Sequence, residues 1–404
     1  MSDPFLCPRC NSEMVYYDQK KRKHRYIDNY KCTICEYKTV NPIRPFEDVE
    51  IITENVKLKK QSQQAQDTNR IERKAFREHT RAENAYAEYA KELIKVVNAN
   101  KFHKTTAIVT ETGSKSAGVI QLSDLHFNEL VDLPHNKYSF EIASQRLKKY
   151  AREAVRVFNA YDVNNVLIAC TGDFMNSDRR LDELLSNATN RSMATFLAVD
   201  ILSQFIAEIA MYFRVSVTGV TGNEGRVDQE PGWDSVTATH NYDWTIHNML
   251  AMRFEETDVR FMHGHPTEQV VCVGGANFLL LHGHGLKGKV LDTVTKLVGK
   301  YASREVRIDY IIFGHIHEAS IGDIYARSSS LVGANAYSEF GLNLISRPSQ
   351  NLFVVDEDSN VNGIKVDLQH ANGKGYDIDA SLSAYHAKSS DKLVNKTVVF
   401  EVKI

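Results

Sequence analysis

The chain has 404 residues, 43% of them apolar and 25% charged, with a formal net charge of −2. That length suggests two or three folding units of the usual ~100–200 residues, and the composition is ordinary for a soluble globular protein. No apolar run reaches the ~20 residues that span a bilayer and the polar start MSDPFLCPRC does not read as a signal peptide, so no membrane partner and a reducing, cytoplasmic setting are expected. The near-neutral total hides an asymmetry. Residues 1–104 carry 21 Lys/Arg and 15 Asp/Glu, a net of +6, and the remainder 28 against 36, a net of −8. A basic front end on an acidic body fits a phosphate-rich partner for the front, although a solvated surface is the simpler reading.

In chain order, the first chemistry is cysteine. Cys7 and Cys10 form one C-x2-C pair, Cys32 and Cys35 a second, with 21 residues between the pairs, just beyond the usual ~15–20. Two such knuckles deliver four thiolates to the tetrahedron that Zn2+ prefers. A segment of about 45 residues builds little core, so the metal would supply folding energy. Disulfides compete but are rare in cytosolic chains. A redox C-x-x-C would open a helix after a strand, and no such context exists here. Residues 1–45 are therefore expected to form a structural zinc ribbon. Between the knuckles, DQKKRKHRYIDNYK mixes basic residues with Tyr26 and Tyr30. Such a hairpin can touch phosphates and stack on bases, or equally be a solvated ribbon face. The stretch KRKHRY…YKCTIC resembles zinc ribbons that front phage and transposon DNA-handling proteins. Cys170 and Cys272 lie in the apolar runs VLIACTGD and VVCVGG and are expected to be small buried hydrophobes.

Residues 46–104 read as a connector. Pro42 and Pro45 punctuate residues 41–56 as linker, and a helical pattern follows from about 57 to 98. Ala75, Ala82, Tyr86, Tyr89, Leu93 and Val97 make one apolar stripe, and Arg70, Arg73, Lys74, Arg77 and Arg81 crowd its earlier part. The stripe packs on the rest of the chain or, alternatively, pairs with a second copy through residues 70–98 as a short coiled coil. The basic cluster could follow a nucleic-acid backbone, though charged helix faces are usually only wet.

Residues 105–404 hold the main motifs. AGVIQLSDLHF is an apolar strand ending in Asp124 and His126, which strand alternation places on one side. VLIACTGDF ends in Gly172-Asp173, and FRVSVTGVTGNEGR in Gly222-Asn223-Glu224. NFLLLHGHG ends in His282-Gly283-His284, and DYIIFGHIH in Gly314-His315-Ile316-His317. Five β-like runs thus each carry ligand chemistry at the C-terminal end, where open α/β sheets gather their ligands. Helical stretches near 141–160, 180–210 and 234–254 separate several of them. The glycines let the backbone turn sharply at the strand ends.

The ordered set D-x-H, GD, GN, H-G, GHxH resembles the calcineurin-like metallophosphoesterase family over about 250 residues and five motifs. The resemblance implies an α/β fold: a metallophosphoesterase-type β-sandwich flanked by helices, here preceded by the ribbon and the helical connector. It implies two metal sites, with Asp124, His126 and His317 on one metal, Asn223, His282 and His315 on the other, and Asp173 bridging. Mixed oxygen and imidazole ligands suit Mn2+, with Fe or Zn2+ as alternatives. Two such cations clamp a phosphate and share a water that becomes the attacking hydroxide. His284 either supports His282 or takes part of its role. One departure stands out. The family usually has a histidine after the motif-three asparagine, and here Asn223 is followed by Glu224-Gly225-Arg226. His240 or His135 fills the role, or Arg226 stabilises the developing charge, or the enzyme is slow or inactive.

For substrate, the ribbon, the basic helix and a resemblance to the nuclease subunits of double-strand-break repair complexes lead to a nuclease acting on DNA or RNA. The combination also resembles phosphoesterases encoded by tailed phages, which would place it in the host cytoplasm. A phosphomonoesterase or small-nucleotide phosphodiesterase is the alternative, and a nucleic-acid-binding protein with a relic metal site is the third. The loop Asn335–Tyr337 is expected to return over the site and could contact substrate, although a structural loop is the simpler reading; NLFVVDEDSN and NGIKVDL are expected to form a hairpin turning near Asn360–Gly363, and KTVVFEVKI to add a strand.

Overall fold

The computed structural model describes residues 5–22, 25–42, 57–64, 66–68, 70, 73, 114–228, 235–286, 288–341, 343 and 345–386. The chain divides into two compact units, Met1–Ile94 and Lys95–Ile404.

The front unit holds an antiparallel sheet of β1 (Phe5–Leu6), β2 (Glu13–Arg22), β3 (Arg25–Cys32) and β4 (Lys38–Thr39), in that order. The β2–β3 hairpin pairs Met14 with Cys32 at its base and is bulged between Tyr16 and Asp18. Its core is only Cys7, Met14 and Cys32, with Phe5, Tyr30 and Tyr37 packed against them. So small a core cannot offset chain entropy alone. Residues 57–64 and 66–68 are helical. The stripe residues from Ala75 to Val97, with Lys74, Arg77 and Arg81, lie outside the described residues, as does KTVVFEVKI.

The second unit is a sandwich of two sheets. The first is ordered β10-β9-β8-β5-β16-β17: Arg260–Phe261, Arg214–Gly219, Asn165–Cys170, Ala117–Leu122, Ser349–Val355 and Val361–Asp367. β10, β9, β8 and β5 run parallel, and β16 and β17 are antiparallel additions. The second sheet is ordered β11-β12-β13-β15-β14: Glu268–Val273, Ala276–Leu281, Tyr310–Phe313, Tyr325–Arg327 and Ser320–Ile321. Between the sheets lie Val119, Leu167, Ala169, Phe278, Leu280, Tyr310, Ile312, Phe353 and Val355, all buried. The alternate residues point outward. Leu279, Ile311 and Phe313 meet Val294 and Tyr301 of the helix Val290–Ala302. Strands covered on both faces read as continuous apolar runs, which is why β5, β8 and β13 carry no polar alternation.

The outer face of the first sheet takes the helix Phe140–Ala160, which buries Ala143, Leu147, Tyr150, Ala151, Ala154 and Phe158 at helical spacing. Ser139 caps it by accepting from Ile142 N. Tyr150 Oη donates to Gln121 O (3.1 Å) and Asn351 O (2.6 Å), bridging the helix to β5 and β16. The expected 180–210 helix is two helices, Leu181–Ser186 and Arg191–Ala210, broken where Asn190 caps the second. Arg191–Ala210 is long and apolar enough by composition to cross a membrane. It buries twelve of its residues in the fold and packs on β9, so here it is a core helix.

Three local expectations change. Asp124 and His126 do not share a face through strand alternation, because β5 ends at Leu122; both lie in the loop beyond it. The β16–β17 hairpin turns over residues 356–360 rather than Asn360–Gly363, because the Asp356 carboxylate accepts from the N–H groups of Asp358 (3.0 Å) and Asn360 (2.9 Å) and closes the turn earlier. Cys170 is buried, but Cys272 is exposed, since β11 is the edge of its sheet and this side chain faces outward.

Candidate metal centre

The loops that follow β5, β8, β9, β12 and β13 converge. One ligand atom from each of Asp124, His126 and His317 lies within 4.8 Å of the others, and the same holds for Asp173, His282 and His315. In the first cluster the Nε2 atoms of His126 and His317 are 3.0 Å apart, and His317 Nε2 is 3.3 Å from Asp124 Oδ1. In the second, His282 Nε2 is 2.8 Å from Asp173 Oδ2 and 3.0 Å from Asn223 Oδ1. All seven residues named from the motifs therefore meet in one place.

Backbone conformation explains the convergence. Asp124, His126, Asp173, His315 and His317 all have positive φ, between 44° and 70°. Asp and His tolerate this left-handed region better than most residues, and such strain gathers at functional sites. Two glycines make room. A Cβ on Gly222 would overlap the Asp173 carboxylate, and one on Gly314 would overlap that of Asp124.

Hydrogen bonds and a charge contact then tie the centre together. His282 Nδ1 donates to Thr171 O at 2.8 Å, which leaves Nε2 as the atom turned toward Asp173 and Asn223. Glu224 Oε2 lies 3.1 Å from His126 Nδ1, a charge contact rather than an aligned hydrogen bond. Asp124 accepts from Ser123 Oγ (2.5 Å) and from His315 N (2.9 Å). Asp173 Oδ1 accepts from Glu224 N at 2.7 Å.

The sequence motifs did not disclose a further carboxylate. Asp243 is buried in the first turn of the helix Tyr242–Arg253. Its Oδ2 accepts from Asp173 N (2.9 Å) and Gly222 N (2.8 Å), and its Oδ1 from Phe174 N (2.9 Å). It thus locks the loops after β8 and β9 together. Arg191 holds the second of those loops from another helix, donating to Glu224 O (2.5 Å) and Arg226 O (3.0 Å). Neither residue stands beside a motif. Only a helix N-terminus rich in Asn and Asp (NYDW) hints at Asp243.

The donor set fits two divalent cations. Asp124, Asp173, His126 and His282 are all buried, and buried ionisable groups persist only when paired or metal-bound. Their oxygen and imidazole atoms point at two common positions, as hard-to-borderline divalent metals require. Burial alone would lower the imidazole pKa values. Glu224, Asp173 and Asp124 outweigh it at His126 and hold it at about 10. Asp173, with Asp124 and the Thr171 carbonyl, holds His282 at about 9. His284 goes the other way, to about 4, through burial and the neighbouring His282. Metal binding must therefore displace protons from His126 and His282. Apparent affinity is expected to rise with pH by about tenfold per unit for each displaced proton, levelling off near pH 9–10. Calorimetric Mn2+ titrations in buffers of different ionisation enthalpy should show net proton release; none at pH 7.5 would contradict the assignment.

A cleft of about 630 Å3 opens over the centre. His126, Asp173, Glu224, His315 and His317 form its floor, and Asn335–Ser338 one wall. None of the three candidates for the missing motif-three histidine borders it; Glu224, the residue that stands in that histidine's place, does. His240 Nδ1 sits 2.8 Å from Asp228, His135 lies on a separate hollow beside Gln369, and Arg226 Nε donates to Asn223 O at 3.0 Å. His284 stands behind the centre, its ring 5.7 Å from that of His282. The three replacements proposed from sequence thus do not border the cleft: His240 pairs with Asp228, Arg226 with the Asn223 carbonyl, and His135 Nε2 lies 3.3 Å from Glu339.

The front-end cysteines also converge. Cys7–Cys35, Cys10–Cys32 and Cys10–Cys35 each have Sγ atoms 3.5 Å apart, far beyond the ~2.05 Å of a disulfide. Backbone N–H groups of Arg9, Ile34 and Cys35 point at Cys7 or Cys32 sulfur at 3.4 Å, and Ser12 holds the Cys10 thiol down to about 6. The cluster is consistent with a small zinc ribbon. Cys32→Ser, or chelation, is expected to unfold the hairpin. That should appear as fast proteolysis near residues 13–32 with the thermal transition of the second unit intact, and a hairpin resistant to protease without zinc would count against a structural metal.

Two mixed sheets that pool carboxylate and imidazole ligands in the loops after their parallel strands are the architecture of a metal-dependent phosphoesterase. The chain belongs to the calcineurin-like phosphoesterase superfamily, whose domain model matches residues 119–332. No curated protein sequence matches it. Among solved structures it is similar to an uncharacterised protein from Streptococcus pneumoniae TIGR4 described as a predicted phosphoesterase, at 17% identity over 65% of this chain and 94% of that one (TM-score 0.28). It is also similar to wild-type Vps29 from Entamoeba histolytica complexed with zinc, at 16% identity over 62% and 99% (TM-score 0.26). A phosphatase from Mycoplasma pneumoniae matches at 11% identity over 63% and 94% (TM-score 0.27).

Proposed function

We propose that this phosphoesterase is a phosphodiesterase that cleaves DNA or RNA, with Mn2+ as its preferred metal. The observation that carries the reading is the aromatic, basic face of the front unit. Tyr16 and Tyr17 are 58% and 55% exposed on the β2–β3 hairpin, and Lys38 Nζ lies 4.2 Å over the Tyr17 ring. Exposed rings beside cations bind single strands by stacking and charge.

Asp124, His126 and His317 would hold one cation, and Asn223, His282 and His315 the other, with Asp173 between them. The cations would supply Lewis acidity to the phosphoryl oxygens and an activated water. The chain's own part is orientation. The Thr171 carbonyl sets the face of His282 and the Glu224 charge stands beside His126, while Asp243 and Arg191 hold the loops that carry Asp173 and Asn223.

Hydrolysis of small phosphoesters is the second reading. It is favoured by the acidic cleft lining, where Asp132, Asp182, Glu183 and Glu318 stand against Arg180, the one Arg or Lys among the described lining residues. The test compares labelled oligonucleotides, cyclic nucleotides, an aryl phosphate and an aryl phosphodiester with Mn2+, Mg2+ and Zn2+. Replacing both Tyr16 and Tyr17 by alanine in the full chain should lower the ratio of oligonucleotide to aryl-diester kcat/KM by roughly 5- to 50-fold. Brisk aryl-ester turnover with no cleavage of any nucleic acid would refute the nuclease reading.

A further inference from the structure

We propose that Tyr337 and Arg180 form a stacking platform for one unpaired nucleobase at the mouth of the metal cleft. The preferred substrate is then a nucleotide phosphodiester whose adjoining base is free to leave its stack. This rests on the nucleic-acid reading above and names the part of the substrate that the site selects.

Both side chains line the cleft over the candidate centre. Tyr337 is 50% exposed although aromatic, and the Arg180 side chain is 52% exposed. Arg180 Cζ sits 5.0 Å from the Tyr337 ring centroid, and Glu183 (2.9 Å) and Asp182 (3.4 Å) hold the guanidinium there. A ring and a guanidinium plane are the two surfaces on which single-stranded bases stack.

The ring is placed firmly relative to the centre. Tyr337 opens a π-helical turn, Tyr337–Gly341, a rare form that concentrates at functional sites. Asn335 and Ser338 bracket it with reciprocal bonds, Asn335 N to Ser338 Oγ at 2.9 Å and Ser338 N to Asn335 Oδ1 at 2.8 Å. Asn335 Nδ2 donates to Glu129 Oε1 at 2.7 Å, and Glu129 N donates to His126 O at 3.2 Å. A short chain of hydrogen bonds therefore runs from a candidate metal ligand to the platform.

Charge decides what the platform can receive. Asp132, Asp182, Glu183 and Glu318 also line this cleft. Phosphates beyond the scissile one would meet carboxylates, whereas a neutral base would not. A stacked, paired base cannot present its face to the ring without being flipped out. The cleft thus suits one nucleotide, from a strand end or a free dinucleotide.

The full chain with Mn2+ would be assayed on two substrate pairs: a thymidine dinucleotide and its abasic counterpart, and a single-stranded 12-mer ending in thymidine or in an abasic residue. The reading is the base-to-abasic ratio of kcat/KM. The ratio is expected to exceed one in the wild type, to fall ~5- to 150-fold in Tyr337→Ala, and to persist in Tyr337→Phe. A larger ratio on the 12-mer assigns the platform to strand ends, and a larger one on the dinucleotide assigns it to small nucleotides. A wild-type ratio near one, or a ratio unmoved by Tyr337→Ala, overturns the platform while leaving the nuclease reading intact. Turnover of an aryl phosphodiester with no cleavage of either nucleotide pair overturns both.

Discussion

Asp173→Ala is expected to lower metal-dependent phosphoester turnover by at least ~10^3-fold. Asp173 is buried, sits 2.8 Å from His282 Nε2, and accepts from Glu224 N. Its charge also reaches His126 in the other cluster. Removing it takes away the carboxylate of the His282–His315 cluster, whose charge also acts on the other cluster. Metal content should fall from two equivalents toward one or none, measured by elemental analysis after dialysis. Asp173→Asn should lose activity to a similar degree while keeping the shape, since an amide offers one neutral oxygen in place of two charged ones. The aryl phosphodiester is the substrate to use, because it is independent of any nucleic-acid preference. Activity within tenfold of wild type would remove Asp173 from the centre. A wild type with no metal-stimulated turnover on any ester would instead favour a binding protein with a relic site.

The second large effect falls on a residue outside the motifs. Asp243→Ala should destabilise the second unit by on the order of 2–5 kcal/mol. It strands three buried N–H donors, those of Asp173, Phe174 and Gly222, each costing about 1–3 kcal/mol when unpaired. Thermal unfolding should drop by roughly 5–15 °C. Metal stoichiometry should fall as well, because the loops carrying Asp173 and Asn223 lose their common anchor. Asp243→Asn should lie between, since its oxygen can satisfy some donors while its NH2 opposes another. A variant that melts like wild type and binds two metals would show that Asp243 does not hold these loops.

The ligand set was legible because each member follows a buried strand and adjoins a glycine or another ligand. Asp173 and Asn223 come directly after Gly172 and Gly222, and the continuous apolar runs VLIAC and YIIF mark the strands that precede Asp173 and His315. The means of convergence was not legible. Alternation predicts a shared strand face for Asp124 and His126, whereas left-handed turns beyond the strand bring them together, and φ leaves no trace in residue identity. Asp243 and Arg191 were invisible as site residues because they act across long separations in sequence from helices without a fixed motif, whereas the loop of Tyr337 was already expected over the site. His240, His135 and Arg226 have suitable chemistry in suitable neighbourhoods of the chain, but they pair with Asp228, Glu339 and the Asn223 carbonyl and do not border the cleft.

Each candidate cluster takes residues from both halves of the sandwich. Asp124 and His126 come from the first sheet and His317 from the second; Asp173 and Asn223 come from the first, His282 and His315 from the second. Neither half can therefore capture an ion by itself. Cations cannot guide the pairing of strands within a sheet; they can only reward the docking of one finished sheet upon the other, like rivets along a single seam. Amide exchange in the metal-loaded protein should consequently slow most at the strand ends bordering that seam, in β8 and β13 together, and least at the opposite ends of the same strands.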